Sequence, residues 1–255
     1  MKRPKLIGLS YSPWTEKAVW ALDHHAIDYA YEPYSPVFGE LKLRRLTRRL
    51  RGPVTVPIMI ADRQVLSDSY DIARYAEAHG GGAPLFGHPD VDGLVKDAER
   101  GLVAARAVGL PRLLDSPGAL LDVVPRGIRR RLPKGAAKLG AWGIRRTIKK
   151  YCVSARSGDE WEAELRGVLD TIRQRLDAAG GTFVLGQLSF ADLALAQVVN
   201  LALPAERVGR LKIRPASCAA YTVADRSAEY ADLAAWRDAL YRDHRKLPES
   251  PSHPR

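Results

Sequence analysis

With 255 residues, the chain is long enough for one large domain or two modest ones with ample core. Its 46% hydrophobic and 27% charged content fits a soluble globular protein, and no run of about 18 apolar residues exists to cross a membrane. The formal net charge of +11 raises the question of an anionic partner, while two cysteines supply no disulfide framework and no Cys/His spacing resembles a zinc site.

In chain order, Lys5 to Leu9 reads as a short strand, broken by Ser12-Pro13. This apolar run is too short for a secretory signal. A helix is expected from about Trp14 to His25, burying Ala18, Val19, Ala21 and Leu22. Tyr29 to Tyr34 is aromatic-rich and strand-like. Residues 40–51 place Leu41, Leu43, Leu46 and Leu50 among basic residues, the pattern of a short exposed helix. Strands at 54–60 and 64–67 are joined by a tight turn at Ala61-Asp62-Arg63, and a helix over about 69–79 ends at Gly80-Gly81-Gly82. This order of elements is that of a thioredoxin-like α/β domain, in which parallel and antiparallel strands share one sheet.

Residues 80–90 have the composition of a linker, and beyond them every strong pattern is helical. Residues 91–109 carry Leu94, Val95, Ala98, Leu102 and Ala105 at helical spacing; residues 159–179 form a second amphipathic pattern and 228–244 a last one. Ser189-Phe190-Ala191-Asp192 is a capping box with Asp in the usual Glu/Gln position. The expected domains are therefore 1–82, a linker at 83–90, and an all-α domain over 91–255. A basic insertion occupies about 112–158, and its elements resist placement. Within it, residues 126–150 hold ten Lys/Arg and no acid. Such a segment is either a solvated helical face that raises the positive potential near an anionic substrate, or a contact with a membrane surface. No nucleic-acid-binding motif accompanies it, so no nucleic-acid partner is expected.

Three short motifs carry possible chemistry. Pro57 cannot donate to a sheet ladder, so Val56-Pro57 sits at an edge, a strand start or a functional break. If that bond is cis, the backbone of Val56 turns outward to pair with an extended ligand. Asp68 and Ser69 open a helix whose free amides suit a carboxylate, or else they simply cap it. Ser12-Pro13-Trp14-Thr15 starts the first helix, where the dipole and free amides favour an anion; Ser before Pro is also a common cap.

Thr55-Val56-Pro57 followed by Asp68-Ser69-Tyr70-Asp71-Ile72-Ala73-Arg74-Tyr75 resembles the glutathione-binding half of the glutathione transferase superfamily. LIGLSYSPWTEKAVWALDHHAIDYAYEPY near the N-terminus and GQLSFADLALAQVV near the C-terminus are similar to two further elements of that family. The resemblance implies a thioredoxin-like domain followed by an all-α domain, in a cytoplasmic homodimer. It implies glutathione as co-substrate, no metal, and a small hydrophobic electrophile as second substrate. Ser12 would stabilise the glutathione thiolate, as in serine-type members. Both positions that redox relatives fill with cysteine are Ser12 and Thr15, which removes disulfide chemistry there. Val56 and Pro57 would hold the cysteinyl unit, and Asp68 and Ser69 the γ-glutamyl end. One of Lys42, Arg44, Arg45, Arg48, Arg49 and Arg51 would meet the glycine carboxylate. Tyr11 and Trp14 are candidates for the second-substrate pocket. Lys17, one turn into the helix, either faces solvent, the commoner case, or adds positive potential; His24 and His25 are expected at the surface. A glutathione-dependent β-etherase or isomerase, and a non-catalytic binding module, are the alternative functions.

Overall fold

Leu6 and Ile7 are both fully buried, so the strand that carries them has cover on both faces. In the computed structural model, which describes residues 3–34, 39–49, 51–62, 64–209 and 211–245, this strand β1 (Lys5–Gly8) lies inside a four-stranded sheet. Its neighbours are β2 (Ala30–Pro33), which runs parallel to it, and β3 (Ile58–Ala61), which runs antiparallel; β4 (Gln64–Leu66) closes the edge beyond β3. Alternation sorts the side chains. Leu6 and Met59 join α1 (Pro13–His24) and α3 (Ser69–His79) on one face, whereas Ile7 and Ile58 pack with Leu43 of α2 (Glu40–Thr47) and Val54 on the other. Gly8 is required where α1 crosses the sheet end, because a Cβ there would lie 2.5 Å from Thr15 Cγ2. The strand expected over 54–60 begins only at Ile58. Ile7 is the last β1 residue paired with β3, and residues 54–56 have no partner strand. Arg63 and Leu50 lie outside the described residues.

The helical region is built on α4 (Val91–Leu114), against which α8 (Gly158–Ala178) and α9 (Phe190–Ala202) pack. At Gly101 the three helices meet so closely that a Cβ would come within 2.9 Å of both Val168 and Val198. The expected capping box is present. Ser189 Oγ and Ser189 N–H donate to one oxygen of Asp192 (2.7 and 2.9 Å), and Val184 N–H donates to the other (2.8 Å). Burial nonetheless pushes the Asp192 carboxyl up to about 6.

The segment that resisted placement forms α5 (Pro117–Asp122), α6 (Arg126–Arg131), α7 (Ala136–Lys150) and a 3₁₀ turn at Val153–Ala155. A two-residue hairpin pairs β5 (Arg207–Val208) with β6 (Leu211–Lys212) before α10 (Pro215–Tyr221). The pattern over 228–244 resolves into the end of α11 (Ala224–Glu229) and α12 (Ala231–His244), separated at Tyr230.

Helix α1 is enclosed between α3 and the helical region. This overturns the expectation that His25 lies at the surface and, of the two alternatives for Lys17, the solvent-facing one: both residues are buried. Arg245 donates to Glu16 (2.8 Å) and to Asp23 (2.9 Å), and α12 adds Tyr241 against Trp20 at 4.6 Å between ring centroids.

Candidate active site

Sheet direction brings three loops together. β1 runs toward the sheet end that β3 leaves and to which β4 returns. Residues 9–12, 55–57 and 67–69 therefore all emerge at that end.

The first loop ends at Ser12, the N-cap of α1. Its Oγ accepts from Thr15 N–H at 3.5 Å, while Thr15 Oγ1 accepts from Leu9 N–H at 3.2 Å. Capping uses the serine oxygen as an acceptor and leaves its hydrogen free to donate. Cap and donor are thus compatible roles for Ser12, not competing ones. Ser12 is 9% exposed, at the positive end of α1.

In the second loop the Val56–Pro57 peptide is cis. Neither the N–H nor the C=O of Val56 makes a hydrogen bond among the described residues. In the third, Asp68 is the N-cap of α3 and its Oδ1 accepts from Tyr70 N–H at 2.7 Å. Ser69 differs. It is buried, and its Oγ has no hydrogen-bond partner among the described residues. A buried hydroxyl left unpaired costs roughly 1–3 kcal/mol, so a ligand oxygen at this helix start relieves a real penalty. Together the loops offer an unpaired backbone edge, a helix start with an open hydroxyl, and a second helix start with a hydrogen to give. Of the cations on and after α2, Lys42 pairs with Glu32 and Arg44 with Glu40. Arg45, Arg48, Arg49 and Arg51 form no ion pair among the described residues.

Facing these loops is the first half of α4. Trp14 Nε1 donates to Glu99 at 2.7 Å, and the buried Lys17 pairs with the other oxygen of Glu99. Two turns on, the Arg106 guanidinium lies 4.7 Å from the Trp14 ring centroid and 3.7 Å from that of Tyr151. Burial pulls its pKa below the ordinary arginine value. Lys150, also lowered by burial, donates to Val54 O at 2.8 Å, two residues before Val56. Trp14 therefore touches the helical region from the first turn of α1. Tyr11 is 56% exposed in the first loop, whereas Trp142 lies out on α7. A separate cavity of about 660 Å³ opens between the ends of α4 and α7 and the start of α8, lined by Arg145, Lys149, Arg156 and Trp161; it shares no residue with the site just described.

Residues 11–79 match the family model described as glutathione S-transferase, N-terminal domain. Solved structures align over nearly the whole chain. A glutathione transferase family member from Pseudomonas fluorescens Pf-5 with bound glutathione is 17% identical, covering 98% of this chain and 96% of that one at a TM-score of 0.56. Glutathione transferase GSTFuA3 from Phanerochaete chrysosporium is 14% identical, with 97% and 99% covered and a TM-score of 0.60. Glutathione S-transferase-I bound with lactoylglutathione is 20% identical, with 98% and 96% covered and a TM-score of 0.58. Residues 11–79 thus carry a glutathione S-transferase N-terminal domain, and the whole chain shares the fold of these transferases. At these identities the solved structures speak for its fold. No curated protein sequence matches it.

Within the matched N-terminal domain the sequence motifs fall where the sheet converges: Ser12, Val56, Pro57, Asp68 and Ser69 share one end of its sheet. Arg106, Lys150 and Glu99 escaped the sequence reading. A signal for Arg106 was present, since it stands four residues after Leu102 and four before Leu110, a cation on the apolar stripe of α4.

Proposed function

We propose that the chain is a glutathione transferase that binds glutathione along residues 55–57 and at the start of α3, and lowers the pKa of its thiol through Ser12. Residues 1–82 would form the glutathione-binding domain and 91–255, after a linker at 83–90, the substrate-binding domain. The Ser69 hydroxyl and the first amides of α3 receive the γ-glutamyl carboxylate, with Asp68 toward its ammonium group. Val56 offers its unpaired N–H and C=O to the cysteinyl unit, in the manner of an added strand. Ser12 donates its hydrogen to the sulfur, and the positive end of α1 favours the thiolate. The thiol proton leaves to solvent. The sulfur lone pair then forms the C–S bond at an electrophilic carbon, whose leaving group departs with the electrons of the broken bond. A small hydrophobic electrophile would sit against Trp14 and Tyr11, and two copies of such a cytoplasmic enzyme would pair.

The observation that supports this reading most directly is the buried, unpartnered Ser69 hydroxyl at the sheet end that also carries Ser12 and the cis Val56–Pro57 bond. Calorimetry with glutathione tests it. Binding is expected for the wild-type chain, with affinity falling roughly 10- to 100-fold in Ser69→Ala, the loss of one hydrogen bond to a charged group. Ser12→Ala should retain binding and lose about 100-fold in turnover. No heat at millimolar glutathione would refute the proposal.

A further inference from the structure

We infer that the electrophile taken by this site carries an anionic group, a carboxylate or sulfonate, held by Arg106. This rests on the transferase reading and names the class of its second substrate.

The inference comes from an inventory of counter-charges. Among the cations along α4, Arg100 pairs with Asp97 and Glu164, and Arg112 donates to the carbonyls of Ala220 and Thr222. Arg106 has neither an ion pair nor a hydrogen bond among the described residues, and its Nε is buried without a partner. Trp14 and Tyr151 flank its guanidinium; such rings orient a cation but do not neutralise it. The acid two turns earlier on the same helix, Glu99, is already engaged by Lys17 and by Trp14 Nε1. Lys150, the next cation, donates to the Val54 carbonyl; Glu40 and Glu99 act on Lys150 and Arg106 only from a distance, and neither forms an ion pair with them among the described residues, so positive charge accumulates here incompletely balanced.

A half-buried guanidinium whose Nε is shut off from water without a partner is costly, and its planar fork matches a carboxylate or sulfonate in a bidentate manner. Its position fits a substrate more than a scaffold. Trp14, on which it stacks, is two residues beyond Ser12 on the first turn of α1. An anion on Arg106 would therefore place the rest of a small aromatic molecule along Trp14, toward the reacting sulfur. The hydrophobic electrophile expected from the resemblance becomes an amphipathic one: an apolar ring with one negative group.

A matched pair of probes tests this, 4-chloro-3-nitrobenzoate and its methyl ester. Each enzymatic rate is divided by the uncatalysed rate with glutathione, because the ester activates the ring more. The wild-type chain is expected to prefer the acid at least 10-fold in kcat/KM, with the preference falling 10- to 100-fold in Arg106→Gln and partly restored in Arg106→Lys. Equal use of acid and ester by the wild type, or a preference unchanged in Arg106→Gln, overturns the inference. Calorimetric binding of the acid and of the ester separates the two readings. If glutathione gives no heat or neither probe turns over, the transferase reading fails. The anion site then stands if the acid binds at least 10-fold tighter than the ester to wild type but not to Arg106→Gln, and falls otherwise.

Discussion

Two faces of helix α1 each meet an arginine of the helical region, and they treat it differently. On the face formed by Glu16, Trp20 and Asp23, Arg245 arrives from the end of α12 and finds two carboxylates, with the Trp20 ring 5.5 Å away. On the face that carries Trp14 and Lys17, Glu99 of α4 pairs with Lys17, and Arg106 stacks on aromatic rings with no ion pair or hydrogen bond among the described residues. Burial alone does not set their roles apart, although Arg245 is buried outright and Arg106 is half-buried with its Nε shut off from water. The supply of counter-charge does. Arg245 closes a structural junction, whereas Arg106 is set up to receive something.

The comparison can be broken most directly at the junction. Arg245→Ala removes the guanidinium that pairs with the buried Glu16 and Asp23 and is expected to cost about 3–5 kcal/mol of unfolding free energy. Urea denaturation measures it, and a loss below about 1 kcal/mol would mean that the two faces are not so different after all. Asp192 sharpens the point, as a buried charge held only by dipoles. Its carboxyl ordinarily titrates near 3.8 and is raised to about 6 in the folded chain, so the native state binds more protons between these values. Relative to Asp192→Asn, wild-type stability should therefore rise as pH falls from 7 to 4.5, by up to about 2 kcal/mol. A flat or falling difference would show that the three donors outweigh burial. The smallest effect belongs to Glu99→Gln. Lys17 then loses its counter-charge, but Glu99 is 42% exposed and water screens the pair, so about 1 kcal/mol is expected in the same urea experiment.

What could be read from the sequence follows the reach of each physical cause. The caps at Ser12, Asp68 and Ser189 were legible because a helix start needs an acceptor within three residues. The expectation at Val56–Pro57 held because proline constrains its own backbone. The burial of Lys17 and His25 was not legible, for the opposite reason: what covers them comes from residues far away in the chain, among them Glu99, 82 residues beyond Lys17. The strand at 54–60 was drawn too long because β-forming residues do not show where their partner strand ends. In the basic segment, charge was readable but its destination was not. Among residues 126–150, only Arg146 forms an ion pair among the described residues, with Glu40 at 3.1 Å.

That contact and its neighbour have an architectural consequence. Arg146 grips the first turn of α2, and Lys150, one turn further along α7, holds the carbonyl of Val54. The basic segment thus works as a latch across the front of the N-terminal half. A chimera joining residues 1–82 to a helical half from another chain of this fold would inherit every motif of the convergent loops, yet arrive with that latch undone.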